Sequence, residues 1–259
     1  MKRSVCIKIQ SNAIGGRAGS VRLCVAPTST RSVAARRAAL LVAVDYPRDS
    51  DYHLPGCTKD VDTMRRRLRR SGFAPHEIRV VTNAHATRAR ILWELRDIVE
   101  RSASLDFLVV HFSGHGMQRP ATDGAESDGL DEVIIPWFTE QITPIDDNTV
   151  TSIVRRVAPG CKGLFIFDCC HSGTIVDSAP LLGRRGAPLV CVSACQDHEK
   201  ALQIRGNGVL TSFLERAGEA EGPTIAQIDQ RRVKNQRFAC RVLRGAHEAD
   251  HGIFAVRSG

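Results

Sequence analysis

Four largely apolar runs constrain this chain more than any other feature: Ala38–Val44, Leu105–Phe112, Gly163–Phe167 and Leu189–Val192. Runs of four to eight residues with little polar alternation suit strands buried on both faces of a parallel sheet. The segments between them carry helical periodicity. Val61, Met64 and Leu68 share one face, with Asp60 and Asp62 near the start, five arginines between Arg65 and Arg70 near the end, and Gly72 as the stop. Thr87 stands as an N-cap before Ile91, Leu92, Leu95, Ile98 and Val99. Ile78–Val81 reads as a further short strand and Gly252–Val256 as a sixth. Strands alternating with helices predict a doubly wound, mostly parallel six-stranded α/β sheet with helices on both faces.

Charge separates a leader from a body. Of 36 Lys and Arg among 259 residues, eight lie in residues 1–37, where there is no Asp or Glu. The remaining 28 basic side chains equal the 28 acidic ones, so the formal +8 belongs to the leader and residues 38–259 are balanced. The leader is rich in Ser, Gly, Ala and Arg and reads as a disordered or processed arm, an organelle-targeting segment, or the product of a misassigned start. Its alternating Val5, Ile7, Ile9 and Val21, Leu23, Val25 also permit a short strand or two. The neutral body makes the Arg65–Arg70 run a solvated helix end rather than a nucleic-acid patch. No apolar run approaches the roughly 18 residues that span a bilayer. Nine cysteines, none in a Cys-x-x-Cys pair, argue against a disulfide framework or structural zinc and favour a reducing, cytoplasmic setting.

The chemistry lies just beyond the strands, where ligands bind in open α/β sheets. Ser113-Gly114-His115-Gly116 follows the second run, and Asp168-Cys169-Cys170-His171-Ser172-Gly173 follows the third. Glycines beside a histidine permit a sharp turn and a close backbone approach. A cysteine at a neighbouring strand tip is activated by such an imidazole, while backbone amides stabilise an oxyanion. Either motif alone is ambiguous, because buried cysteine is a common core residue. Together, on separate strand ends, they point to acyl transfer.

The segments His111–Gly116 and Asp168–Gly173 resemble the two signature segments of the metacaspases, among the caspase-like cysteine peptidases. Leu54-Pro55-Gly56-Cys57 with Asp60, Asp128–Glu132, Asp146-Asp147 and Val192–Cys195 extend the resemblance, which runs from about Arg37 to Leu214. It implies a caspase-like fold with Cys170 as nucleophile and His115 as general acid/base. The amides of Gly116 and Cys170 would form the oxyanion hole, with Cys169 a structural thiol. It also implies a specificity pocket of Cys57, Asp60, Ser113 and Asp168. Two carboxylates and a hydroxyl suit a guanidinium or ammonium group, so protein and peptide substrates cleaved after Arg or Lys are expected. Calcium activation is implied at Asp131, Asp146, Asp147 and Asp177, four hard oxygen donors dispersed in sequence.

The chain also departs from the family pattern. Trp137-Phe138 replaces the usual Asp after Ile135-Pro136, which leaves a catalytically silent interaction scaffold as the alternative reading. The expected organisation is a large-subunit-like part at 38–177, a short linker at 178–187 and a small-subunit-like part at 188–259. The linker carries Arg184-Arg185, a dibasic site that an Arg-specific peptidase cuts in itself. The resemblance implies a monomer.

Overall fold

The computed structural model describes residues 6–10, 20–24, 35–121, 130–138, 140–177, 181, 184–195, 201, 203–204, 207–217, 221–233, 236–245 and 252–255. The chain divides into two units, residues 1–34 with 258–259, and residues 35–257. In the first unit, Cys6–Gln10 and Ser20–Cys24 pair antiparallel. The division falls three residues before the end of the basic leader. Arg36 is held to Asp106 by a 3.0 Å ion pair, and Arg37 donates to the Gly72 carbonyl at 2.5 Å, so both belong to the second unit.

That second unit is built on six strands, β1 (Arg37–Ala43), β2 (Ile78–Thr82), β3 (Phe107–Ser113), β7 (Lys162–Asp168), β8 (Leu189–Ser193) and β9 (Ala239–Arg244). Their order across the sheet is β9-β8-β7-β3-β1-β2, parallel except for β9. A smaller antiparallel sheet joins β4 (Gly116–Pro120), β5 (Leu130–Ile134) and β6 (Ile145–Asp146). The helices are α1 (Cys57–Arg70), α2 (Arg88–Glu100), α3 (Asp147–Val154), α4 (Val209–Arg216) and α5 (Ile225–Asp229).

The strand alternation decides the layering. Leu40, Val42, Leu108, Val110, Phe112, Phe165 and Phe167 pack with Ile91, Leu95, Val99, Val150 and Val154 of α2 and α3. Leu41, Ala43, Phe107, Val109, Leu164 and Ile166 face the other way, onto Val61, Met64, Leu68, Leu210, Leu214 and Ile228 of α1, α4 and α5. Successive strand residues therefore feed two cores, which is why the runs are apolar at both parities. Gly72, at φ +89°, lets the Phe73 amide reach back to the Leu68 carbonyl at 3.0 Å and ends α1.

Two expectations are corrected here. Gly252–Ala255 is a turn rather than the sixth strand, and Val256 lies outside the described residues. Ile253 and Phe254 are buried as an anchor, their amides donating to Pro223 and Glu221. The sixth strand is β9, an antiparallel edge strand whose apolar pattern is interrupted by the half-buried Arg241 and the buried Arg244. The Arg65–Arg70 run is not wholly solvated either. Arg65, Arg66, Arg69 and Arg70 are exposed, but Arg67 is buried with its guanidinium 4.7 Å from the Phe254 ring centre. No helix among the described residues is long and apolar enough to cross a membrane.

Candidate active site

The sheet order reverses at β1, whose neighbours are β2 and β3, and the candidate residues gather at that carboxyl edge. Beyond β1, Asp45 accepts from the Gly56 and Thr58 amides at 3.2 and 3.1 Å and from the Thr58 hydroxyl at 2.7 Å. A distant carboxylate thus caps α1, whose own N-cap, Gly56, has no side chain for the purpose. The loop so pinned brings Tyr46 and Tyr52 over the end of β3.

Both tyrosines position His115. The Tyr46 hydroxyl donates to the Ile135 carbonyl and accepts from the His115 amide, each at 2.8 Å. The Tyr52 carbonyl lies 2.8 Å from His115 Nε2. A carbonyl only accepts, so Nε2 carries the proton and Nδ1 is the basic nitrogen. Burial lowers the imidazole pKa, with the Tyr52 carbonyl partly opposing it. The His115 ring stands 4.8 Å from Tyr46 and 5.9 Å from Tyr52, and Phe138 meets Tyr52 edge-on at 5.3 Å. The departure at Trp137-Phe138 therefore braces the histidine's neighbours. Trp137 is tied down by its amide, which donates a hydrogen bond to the Ala86 carbonyl at 2.9 Å, and the chain beyond it still reaches β6 at Asp146.

The cysteines differ in environment. Cys169 is buried, and desolvation raises its thiol pKa well above the ordinary range, as suits a structural residue. Cys170 is half-buried, and its Sγ accepts from the Ala201 amide at 3.2 Å. The next residue, His171, is held at φ +48°, an uncommon conformation that turns the chain sharply after Cys170. Ser172 closes the turn onto the Cys169 carbonyl at 2.9 Å, and Ser193 of β8 grips the Ser172 carbonyl at 2.6 Å.

Gly116 shows that the two motif tips touch. A β-carbon there would lie 1.9 Å from the Cys170 carbonyl oxygen and 3.2 Å from Cys169 Sγ. Because the nearest obstacle is backbone, Gly116→Ala must push the His115 and Cys170 tips apart. A displacement near 1 Å is expected to lower kcat/KM by about 10²-fold for any reaction that uses both tips. Overpacking should cost roughly 1–3 kcal/mol of stability. Kinetics beside thermal unfolding separate the two effects.

The expected pocket residues also converge. Ser113 Oγ donates to Asp60 Oδ2 at 2.7 Å, and the Gly208 amide donates to Asp60 Oδ1 at 2.9 Å. Asp168 Oδ2 accepts from the Thr211 amide at 2.8 Å, near the start of α4. A β-carbon on Gly208 would fall 2.1 Å from Asp168, so that glycine forms the wall of the acidic pair. Cys57, fully buried, has its thiol pKa raised by desolvation, with Asp60 adding to the rise and Ser113 opposing it. Both carboxylates are buried, and among the described residues neither pairs with a Lys, Arg or His. Burial raises the pKa of each, and for Asp60 the neighbouring Asp168 charge raises it further. Gly208 acts through its backbone amide and Thr211 through both amide and hydroxyl, and neither carries a sequence signature. Tyr46 and Tyr52 lie more than 60 residues from the histidine they hold.

The family description for the metacaspase peptidase C14 domain matches residues 37–179 of this chain, more than half its length. The chain belongs to the metacaspase family. It is 38% identical over 148 residues to Metacaspase-4 of Arabidopsis thaliana, a match covering 54% of this chain and 34% of that protein. It is 33% identical over 193 residues to Metacaspase-1B of Aspergillus oryzae, covering 70% and 46% respectively. The metacaspase match thus spans about a third to a half of the length of these relatives. The crystal structure of protein GSU0716 from Geobacter sulfurreducens shares the fold, with a TM-score of 0.61 at 20% identity over 82% of this chain and 95% of that one. The fold of this metacaspase is accordingly the caspase-like α/β sheet.

The four expected metal ligands lie on neighbouring elements of the metacaspase domain. Asp131 is on β5, Asp146 on β6, Asp147 opens α3, and Asp177 follows β7. Arg119 of β4 is placed between two of them, 3.2 Å from Asp131 and 3.5 Å from Asp146. Asp146 also caps α3, accepting from the Thr149 amide at 2.7 Å, while the Asp177 amide donates to Thr151 at 2.8 Å. No group of three or more His, Cys, Asp or Glu positioned to hold a metal occurs among the described residues. The donor chemistry nonetheless suits a hard cation, because Asp131 Oδ1 is buried without a hydrogen-bond partner.

Proposed function

We propose that this chain is a cysteine endopeptidase that cleaves proteins and peptides after Arg or Lys through a Cys170–His115 dyad. The observation that carries the specificity is the buried Asp60–Asp168 pair without a basic partner among the described residues. Two desolvated carboxylates are costly alone and stabilised by a bound cation. In this reading His115 Nδ1 takes the Cys170 proton and the sulfur attacks the scissile carbonyl. The amides of Gly116 and Cys170 face the developing oxyanion. The imidazolium then protonates the departing amine, and the thioester is hydrolysed by water that His115 deprotonates.

The test is hydrolysis of a fluorogenic peptide with Arg at the cleavage position, with and without Ca²⁺. Activity in one of those conditions, with little on an Asp peptide, is the result expected. Inactivity in both would return the chain to the scaffold reading that the Trp137-Phe138 departure raises.

Calcium is proposed to bind at Asp131, Asp146, Asp147 and Asp177 in place of Arg119, which is a tethered cation there. Bound, the ion would supply charge neutralisation that ties β5, β6 and α3 to the loop after Cys170. Arg119→Gln removes the internal competitor, so Ca²⁺ affinity measured by calorimetry is expected to rise roughly tenfold. Unchanged affinity would show that Arg119 and calcium do not compete.

Self-cleavage is proposed after Arg184 or Arg185, both exposed. An Arg184→Ala/Arg185→Ala chain is expected to stay intact on a denaturing gel where the parent is cut. The reading also includes a monomer with neither membrane nor nucleic-acid partners. It is placed in the cytoplasm, unless residues 1–37 direct it to an organelle before removal.

A further inference from the structure

A cavity of ≈ 830 Å³, distinct from the peptidase site, is lined by Arg155, Arg156, Val157, Pro159, Arg184, Arg185 and Arg244. Its five guanidinium groups come from three separate parts of the chain. Arg155 and Arg156 follow α3, where the helix dipole favours positive charge. That account does not reach Arg184 and Arg185 of the linker or Arg244 of β9. Arg244 is buried, yet it bonds only carbonyls, those of Ala187, Val157, Ala158 and Cys161, at 3.1, 2.6, 2.9 and 3.1 Å. Burial lowers its pKa, and the like charge of Arg184 adds to that.

The walls are fixed. The Ala187 amide donates to the Pro159 carbonyl at 2.7 Å, and Arg184 donates to the Arg155 carbonyl at 2.9 Å. The one carboxylate partner among the described residues is Glu100, in an exposed 3.5 Å pair with Arg156. Converging guanidinium groups with so little counter-charge repel one another, and the repulsion is relieved by an anion that several of them grip at once. The volume falls within the range usual for small-ligand sites.

We infer that this cavity binds a compact anion of clustered phosphates, which bridges the linker at Arg184-Arg185 to the end of α3 and to β9. A single phosphate reaches too few of the arginines. A flexible acidic peptide offers carboxylates that are less densely charged and cost more to order.

The test uses tripolyphosphate with the full chain carrying Cys170→Ala, so that the linker stays uncut and the result is independent of peptidase activity. Calorimetry is expected to show one saturable site, bound at least about tenfold tighter than inorganic phosphate, with a raised Tm. Arg155→Ala/Arg185→Ala is expected to weaken binding about tenfold or more, since two charge-assisted contacts are lost. Arg65→Ala/Arg66→Ala removes equal charge from α1 and is expected to change it less than about twofold. Failure to bind tripolyphosphate, equal weakening by both double variants, or tighter binding of a Glu-rich peptide would each overturn the inference.

Discussion

Cys170→Ala is expected to abolish hydrolysis of an Arg peptide, with kcat/KM falling by about 10⁴-fold or more while the fold is kept. Cys170 is half-buried, and its sulfur accepts from the Ala201 backbone amide. Losing the sulfur removes the covalent route and leaves neighbouring groups in place. Cys169→Ala is the informative contrast. That thiol is buried, and removing it should cost stability rather than chemistry. Equal activity losses in the two variants would mean that the roles of the adjacent cysteines are misassigned.

The second large effect is at the pocket floor. Asp60→Asn/Asp168→Asn keeps the shape but removes the charge. At position 60 the amide oxygen still accepts from Gly208 while the Ser113 hydroxyl turns to accept from the amide NH2, and at position 168 the oxygen still accepts from Thr211. Losing a desolvated partner for the substrate cation is worth about 3–5 kcal/mol, or roughly 10²–10⁴-fold in kcat/KM on an Arg peptide. A citrulline peptide, which lacks the charge, should be nearly indifferent. The same pair predicts a pH dependence. Both carboxyls are raised in the folded state, so the pocket takes up protons on acidification well before an ordinary carboxylate would. KM for the Arg peptide is therefore expected to rise as pH falls from about 8 to about 5, and to do so less in the double variant.

Stability runs the opposite way. An acid raised in the native state makes that state bind more protons than the unfolded chain, so its contribution weakens as pH rises through the raised value. The double Asn variant should thus be at least as stable as the parent near pH 8. An activity loss accompanied by unfolding there would contradict the pocket account.

Much of this site was legible because it stands at strand ends. His115 and Cys170 follow apolar runs whose double-sided burial the structure explains, and Ser113 and Asp168 are the last residues of those strands, whereas Asp60 comes from the first turn of α1. Atoms without a side-chain signature were not legible. The Tyr52 carbonyl that sets the imidazole proton is backbone, as are the Gly208 and Thr211 amides that hold the acids. Tyr46 acts across 69 residues, a distance no local periodicity spans. The edge strand β9 was hidden because Arg241 and Arg244 interrupt its apolar pattern, and Arg67 because a guanidinium over an aromatic ring violates the usual equation of charge with exposure. Arg119 was hidden for a related reason: its partners Asp131 and Asp146 come from different strands of the small sheet.

The most direct measurement is intact-mass and peptide-mapping analysis after incubation with a peptidyl-arginine acyloxymethyl ketone, alongside its aspartyl counterpart. A cysteine nucleophile beneath an acidic pocket predicts one adduct per chain, on Cys170, with the arginyl reagent and essentially none with the aspartyl one. An adduct on another cysteine, preference for the aspartyl reagent, or no adduct with or without Ca²⁺ would contradict it.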